Sequence, residues 1–78
     1  MVSISCAFPP VPETPDHIAL AEELGYESAW VYDTPALQLD CWMTLALGAA
    51  RTESIRLGPG VLIPSLRHPM ATAAAIAT

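Results

Sequence analysis

Ile55-Arg56-Leu57-Gly58-Pro59-Gly60-Val61-Leu62-Ile63-Pro64-Ser65-Leu66-Arg67-His68-Pro69 is the stretch on which the reading of the whole chain turns. Ile55, Leu57 and Val61 keep the alternation of a strand, yet Gly58, Pro59 and Gly60 stand where a central strand would carry branched side chains. Proline has no amide to give to a neighbouring strand, and glycine lets another group come close to the backbone. If the alternation holds, Gly58 and Gly60 share a face with Arg56, opposite Ile55, Leu57 and Val61, and that face is bare backbone. Local chemistry alone reads Gly-Pro-Gly as a tight turn. The apolar run that resumes at Val61-Leu62-Ile63, then Pro64, a short polar loop and His68-Pro69 opening a helix, point instead to a strand end. Strand ends that lead into helices are where α/β folds place their ligands, so this one is the candidate site.

Upstream the same grammar repeats. Val2, Ile4, Cys6 and Phe8 alternate with Ser3, Ser5 and Ala7 as a first strand, ended by Pro9, Pro10 and Pro12. Thr14 is expected to cap a helix with Pro15 in its first turn and Asp16 at the positive end of the dipole. That helix runs to Leu24 and stops at a left-handed Gly25, with Ile18, Ala21 and Leu24 facing inward, flanked by Leu20. His17 reads as a solvated helix residue. Ser28 to Tyr32 forms a second strand with Trp30 and Tyr32 on one face and Ala29, Val31 and Asp33 on the other. Asp40 caps a second helix, Cys41 to Arg51, whose near-continuous apolar surface implies burial on more than one side. After Pro69 an alanine-rich segment is helical by propensity, and it is expected to be cut within that third helix at Thr78.

Composition narrows the function. Eight acidic residues against three arginines and no lysine give a net charge of −5, which argues against a nucleic-acid partner. Cys6 and Cys41 lack the close spacing of metal ligands and read as free thiols, so no metal site is expected. No basic segment precedes an apolar run at the start, and no run approaches the ~20 residues of a membrane span. A cytoplasmic protein with no membrane partner is expected.

Strand starts near Val2, Ser28 and Ile55 recur at roughly 26 residues, close to the ~30 of a strand-helix-strand unit. Three parallel strands covered on one face leave the other face and both edges open, which parallel sheets do not tolerate. The fold expected is therefore α/β, residues 1–78 forming three strand-helix units from the N-terminal part of a (β/α)8 barrel of ~250 residues. Small residues (Ser3, Ser5, Ala7, Ala29, Val31, Gly58, Gly60) would face its interior. A doubly wound sheet is the other option, but Ala7-Phe8-Pro9-Pro10 is unlike a glycine-rich phosphate loop.

Three runs carry a resemblance. Ala21 to Asp33 (AEELGYESAWVYD), Trp42 to Val61 (WMTLALGAARTESIRLGPGV) and Pro64 to Thr78 (PSLRHPMATAAAIAT) resemble, in order and spacing, the N-terminal part of the luciferase-like flavin-dependent oxidoreductases. The nearest branch is the deazaflavin-dependent one that includes methylenetetrahydromethanopterin reductase. The Gly-Pro-Gly-Val followed by Pro-x-x-Arg-His-Pro is the most specific part of it.

The resemblance implies an oxidoreductase that passes hydride between coenzyme F420, a deazaflavin, and a small organic substrate. It also implies that Gly58, Gly60 and Val61 contact the cofactor ring and that a non-prolyl cis peptide joins Gly60 to Val61. Asp33 matches a position near the reactive end of the cofactor, where it would bind the cofactor or handle a proton; turn acid before Pro35 is its plain structural reading. Thr34 stands where family members often carry histidine, which argues against a histidine acid-base role there. Arg67, His68 and Pro69 match the family pattern but read chiefly as the start of a helix. Two alternatives stand beside this reading: an FMN-dependent monooxygenase, or a truncated, non-catalytic segment that needs a partner or further chain. The resemblance also implies a homodimer built on the second and third helices, and an isolated piece that binds cofactor weakly or not at all.

Overall fold

The computed structural model describes residues 3–78. Three strands, β1 (Ser5–Phe8), β2 (Ser28–Val31) and β3 (Arg56–Pro59), alternate with helices α1 (Thr14–Glu23), α2 (Cys41–Ala50) and α3 (Pro69–Ala77), and a 3-10 turn at Pro64–Leu66 precedes α3. The strands form one parallel sheet in sequence order. This is the α/β strand-helix arrangement expected from the sequence, without a closed barrel among the described residues. Val2 of the expected first strand lies outside them.

The register sets the two faces. Ala7 pairs with Trp30 and Trp30 with Gly58; Cys6 pairs with Ala29 and Ala29 with Leu57. In parallel strands such partners point to the same side. Ala29 and Val31 therefore belong with Cys6, Phe8 and Leu57 on the side where α1 and α2 pack, in a core with Ile18, Cys41 and Leu45. Burying Ile18 completely is worth on the order of 2 kcal/mol. The expected set of small inward residues is corrected for strand two: Ser5, Ala7 and Gly58 share the uncovered face with Trp30, and Ala29 and Val31 are on the helix side.

The helix ends follow local chemistry. Gly25 takes a positive φ of 90°, the left-handed stop expected after α1. The Asp40 carboxylate accepts the Met43 amide at 2.8 Å and caps α2. The cap of α1 differs from expectation: Glu13 occupies the position, while Thr14, fully buried, donates its hydroxyl to the Pro9 carbonyl and accepts the Val11 amide at 3.1 Å. The Thr14 hydroxyl thus ties the proline loop together instead of the helix start. Leu20 and Leu24 are also exposed, and the buried side of α1 consists of Thr14, Pro15, Ile18 and Ala21.

Two contacts hold the layers in place. Gly48 lets α2 approach α1, since a Cβ there would meet Ile18 Cδ1 at 2.8 Å. Glu22 reaches from α1 to the α2–β3 turn and accepts the amides of Glu53, Ser54 and Ile55 at 2.9, 3.0 and 3.1 Å. Both cysteines are free thiols, and each donates to a β2 carbonyl, Cys6 to Ser28 and Cys41 to Val31. Burial pushes the Cys41 thiol up to about 11, so it stays protonated and inert at neutral pH. Helix α3 buries no residue, and an apolar groove of about 440 Å³ separates it from α2, lined by Trp42, Leu45, Ala46, Leu57 and Ile76 among others.

Candidate functional site

The carboxyl ends of β2 and β3 lie side by side because the strands are parallel and in register from Ser28 and Arg56 onward. Beyond Val31 the chain continues through Tyr32 to Asp33; beyond Pro59 it continues through Gly60 and Val61 to Ile63. Gly60 prolongs the ladder by donating its amide to the Val31 carbonyl at 2.9 Å. The Gly60–Val61 peptide is cis, as the resemblance implied.

The glycine face is not bare. The indole of Trp30 lies across it: a Cβ on Gly58 would come within 2.9 Å of Trp30 Cζ3, and one on Gly60 within 3.0 Å of Trp30 Cβ. Gly58 is buried beneath that ring and Gly60 half-buried. The missing side chains of β3 make room for a protein aromatic, and this corrects the expectation of exposed backbone. What remains open is the outer side of Trp30, 41% exposed, with Tyr32, Val61 and Ile63 at 39, 79 and 40%. These side chains are apolar or aromatic and carry no charge.

Asp33 is fully engaged. Its side chain is 0% exposed. Oδ2 accepts the Ile63 amide at 2.8 Å and Arg67 Nη1 at 2.8 Å, and Oδ1 accepts Arg67 Nη2 at 2.8 Å. The Arg67 guanidinium holds the carboxyl below its ordinary range; burial opposes this, and the Ile63 amide adds to it. The same pairing raises Arg67 above the usual guanidinium value. Arg67 Nη2 also lies 3.6 Å from Asp40 Oδ1, so one guanidinium links the exit of β2, the loop before α3 and the cap of α2. A carboxylate paired in this way stays ionised at neutral pH and is poorly suited to giving a proton. Its geometry is that of an anchor.

His68 takes the role of helix start read from the sequence: its ring Nδ1 accepts the Met70 amide at 3.1 Å, capping α3 ahead of Pro69. Thr34 donates its hydroxyl to Gln38 at 2.7 Å. Among the described residues no three His, Cys, Asp or Glu side chains converge on a metal position.

Residues 3–78 match the luciferase-like monooxygenase family. The chain belongs to that family. It is similar to the 5,10-methylenetetrahydromethanopterin reductase of Methanopyrus kandleri, 43% identical over 61 residues that cover 78% of this chain and 17% of the reductase. It is likewise similar to the enzyme of the same name from Methanolobus tindarius, 36% identical over 67 residues covering 86% of this chain and 20% of that protein. The matched stretch thus spans about a fifth of the reductases. No solved structure matches the chain.

In this member of the luciferase-like family, the residues singled out from the sequence, Asp33, Gly58, Gly60 and Val61, lie together at adjoining strand ends. Sequence reading missed two partners. Trp30 was placed on the correct face of β2, but its contact with the glycines depends on the register between strands. Arg67 was read as part of a helix start, although the Arg-His-Pro pattern that carried the resemblance contains it. The pairing with Asp33 spans 34 residues and has no local periodicity to betray it. No helix among the described residues is long and apolar enough to cross a membrane.

Proposed function

We propose that this chain is the N-terminal part of a (β/α)8 barrel oxidoreductase that binds a deazaflavin, coenzyme F420, at the ends of β2 and β3 and passes hydride between it and a small organic substrate. The carrying observation is that the ends of β2 and β3 present a shelf of exposed, uncharged side chains, Trp30, Tyr32, Val61 and Ile63, next to the Gly60 backbone, a surface of the kind an aromatic ring system prefers. Gly60 and Val61 meet the ring directly in this reading, Gly58 serves it by admitting Trp30, and Asp33 holds the edge. The cofactor supplies the hydride chemistry, and the protein orients the ring and keeps water from its covered face. The similarity to two proteins named as reductases, and the match to an oxidoreductase family, support the reading. The open sheet face and the short span against those relatives support its being one portion of a barrel. Exposed Met43, Leu47 and Met70 on α2 and α3 support self-association of the complete protein.

The family description as monooxygenase favours a second reading, in which FMN replaces the deazaflavin. One exchange experiment separates them. The matching segment of the Methanopyrus kandleri reductase is replaced by this chain, and ring binding is followed by fluorescence. F420 binding within about tenfold of the parent enzyme, with hydride transfer retained, is expected. Tighter binding of FMN than of F420 favours the second reading, and a folded exchange protein that binds neither ring overturns both.

A further inference from the structure

Residues 60 to 63 are pinned at both ends. The Gly60 amide is held by the Val31 carbonyl at 2.9 Å and the Ile63 amide by Asp33 Oδ2 at 2.8 Å, so only Val61 and Leu62 lie between the two fixed points. Both fixed points belong to consecutive parts of one chain segment, Val31 to Asp33. The segment above is therefore set at a defined height over the exit of β2. Asp33 in turn is oriented from its other side by the two-pronged bond to Arg67, whose 3-10 turn folds it back toward the strand ends.

An ion pair with a buried carboxylate and a half-buried guanidinium is a costly way to fill space, since well-packed apolar groups of similar volume serve packing as well or better. What a planar guanidinium and a carboxylate do better is fix direction, because the paired bonds permit one mutual orientation. The location agrees with that use. Asp33 and Arg67 sit outside the cluster of Ile18, Ala29, Val31, Cys41 and Leu45, at the end of the sheet where the shelf lies.

We infer that Asp33 and Arg67 are a positioning pair that fixes the Gly60–Ile63 segment as the rest for the cofactor ring, and that neither exchanges a proton with the substrate. This rests on the ring-binding reading above, and it assigns Arg67 a role through Asp33 and not through contact with the ring.

The test uses Arg67→Gln and Arg67→Lys. In the reductase carrying this segment, amide exchange is followed at Ile63 and, for comparison, at Leu45 in α2. Arg67→Gln accelerates Ile63 about tenfold while Leu45 stays within about twofold, and Arg67→Lys, which keeps the charge without the fork, falls between. A wild-type Ile63 amide that exchanges like a free peptide overturns the pair. So does an Ile63 rate unmoved by Arg67→Gln, or a uniform acceleration that includes Leu45. In the reductase carrying this segment, Arg67→Gln weakens F420 binding about tenfold at an unchanged pH profile of turnover. A profile that loses a limb identifies a proton carrier and overturns the positioning role. If the unsubstituted exchange protein binds no ring, the functional reading fails by itself, and the amide exchange still decides whether the pair fixes the segment.

Discussion

Gly58 shows how a residue chosen for one apparent reason serves another. In the sequence it reads as backbone laid open for a ligand; in the fold its hydrogen faces the Trp30 six-membered ring, with room for nothing larger. Gly58→Ala places a methyl 2.9 Å from Cζ3 of an aromatic held by its own strand. The indole has to shift outward to make room, and overpacking of this kind costs about 1–3 kcal/mol. The pair Gly58→Ala with Trp30→Leu removes the clash and recovers part of that loss, though it forfeits indole contacts. Urea unfolding of the three variants checks this: additive losses, with no recovery in the double variant, would mean that the indole is not what requires the glycine. Residue types alone could not reveal this. Alternation gave each strand its two faces, but nothing within a strand says which face meets which neighbour, so Ala29 and Val31 were grouped with the glycines because they are small. Long-range pairing decided otherwise. Asp33 was legible as a strand-end acid, whereas its guanidinium partner was not, since only the fold brings residue 67 beneath residue 33.

At the scale of elements the chain is tied by carboxylates to backbone amides. Asp40 does this locally, capping the first turn of its own helix, and that was visible as an acid before an apolar run. Glu22 does it at a distance, joining α1 to the turn into β3 through three consecutive amides, and its place among the polar residues of α1 gave no hint of it. The amides of Ser54, Ile55 and Glu53 hold the Glu22 carboxyl below its ordinary value. Arg67 does the same to Asp33. With both folded values depressed, their stabilisation is complete above the unfolded carboxyl range of about 4 and is lost as pH falls through the lower folded values. Acidification from pH 7 to 3 should therefore reduce the urea midpoint. Glu22→Gln should lower the midpoint at pH 7 and lose less on acidification than the wild type. Parallel pH profiles for the two proteins would show that the amide cluster does not stabilise the charged form.

For the molecule as a whole the balance of covered and open surface governs behaviour. Among the described residues the buried apolar side chains are Ile18, Ala21, Ala29, Val31, Cys41 and Leu45, a small set dominated by short residues. Among the described residues no helix lies over one face of the parallel sheet, β1 and β3 are both edges, and α3 contributes nothing to the core. Parallel sheets gain their stability from cover on both faces, so the single covered face leaves little to make unfolding cooperative. A fully two-state chain of 78 residues would unfold with an enthalpy of ~55 kcal/mol near 60 °C. The chain by itself should show less than about half of that as a van't Hoff enthalpy, with a broad thermal transition. The exposed side chains of Leu47, Met43, Met70 and Ile76 should also draw copies together, so sedimentation should report a concentration-dependent increase in mass. A sharp transition with the full enthalpy in a strictly monomeric sample would mean that three strand-helix units suffice as an independent domain. The case for a larger barrel closing over the open face would then lose its physical basis.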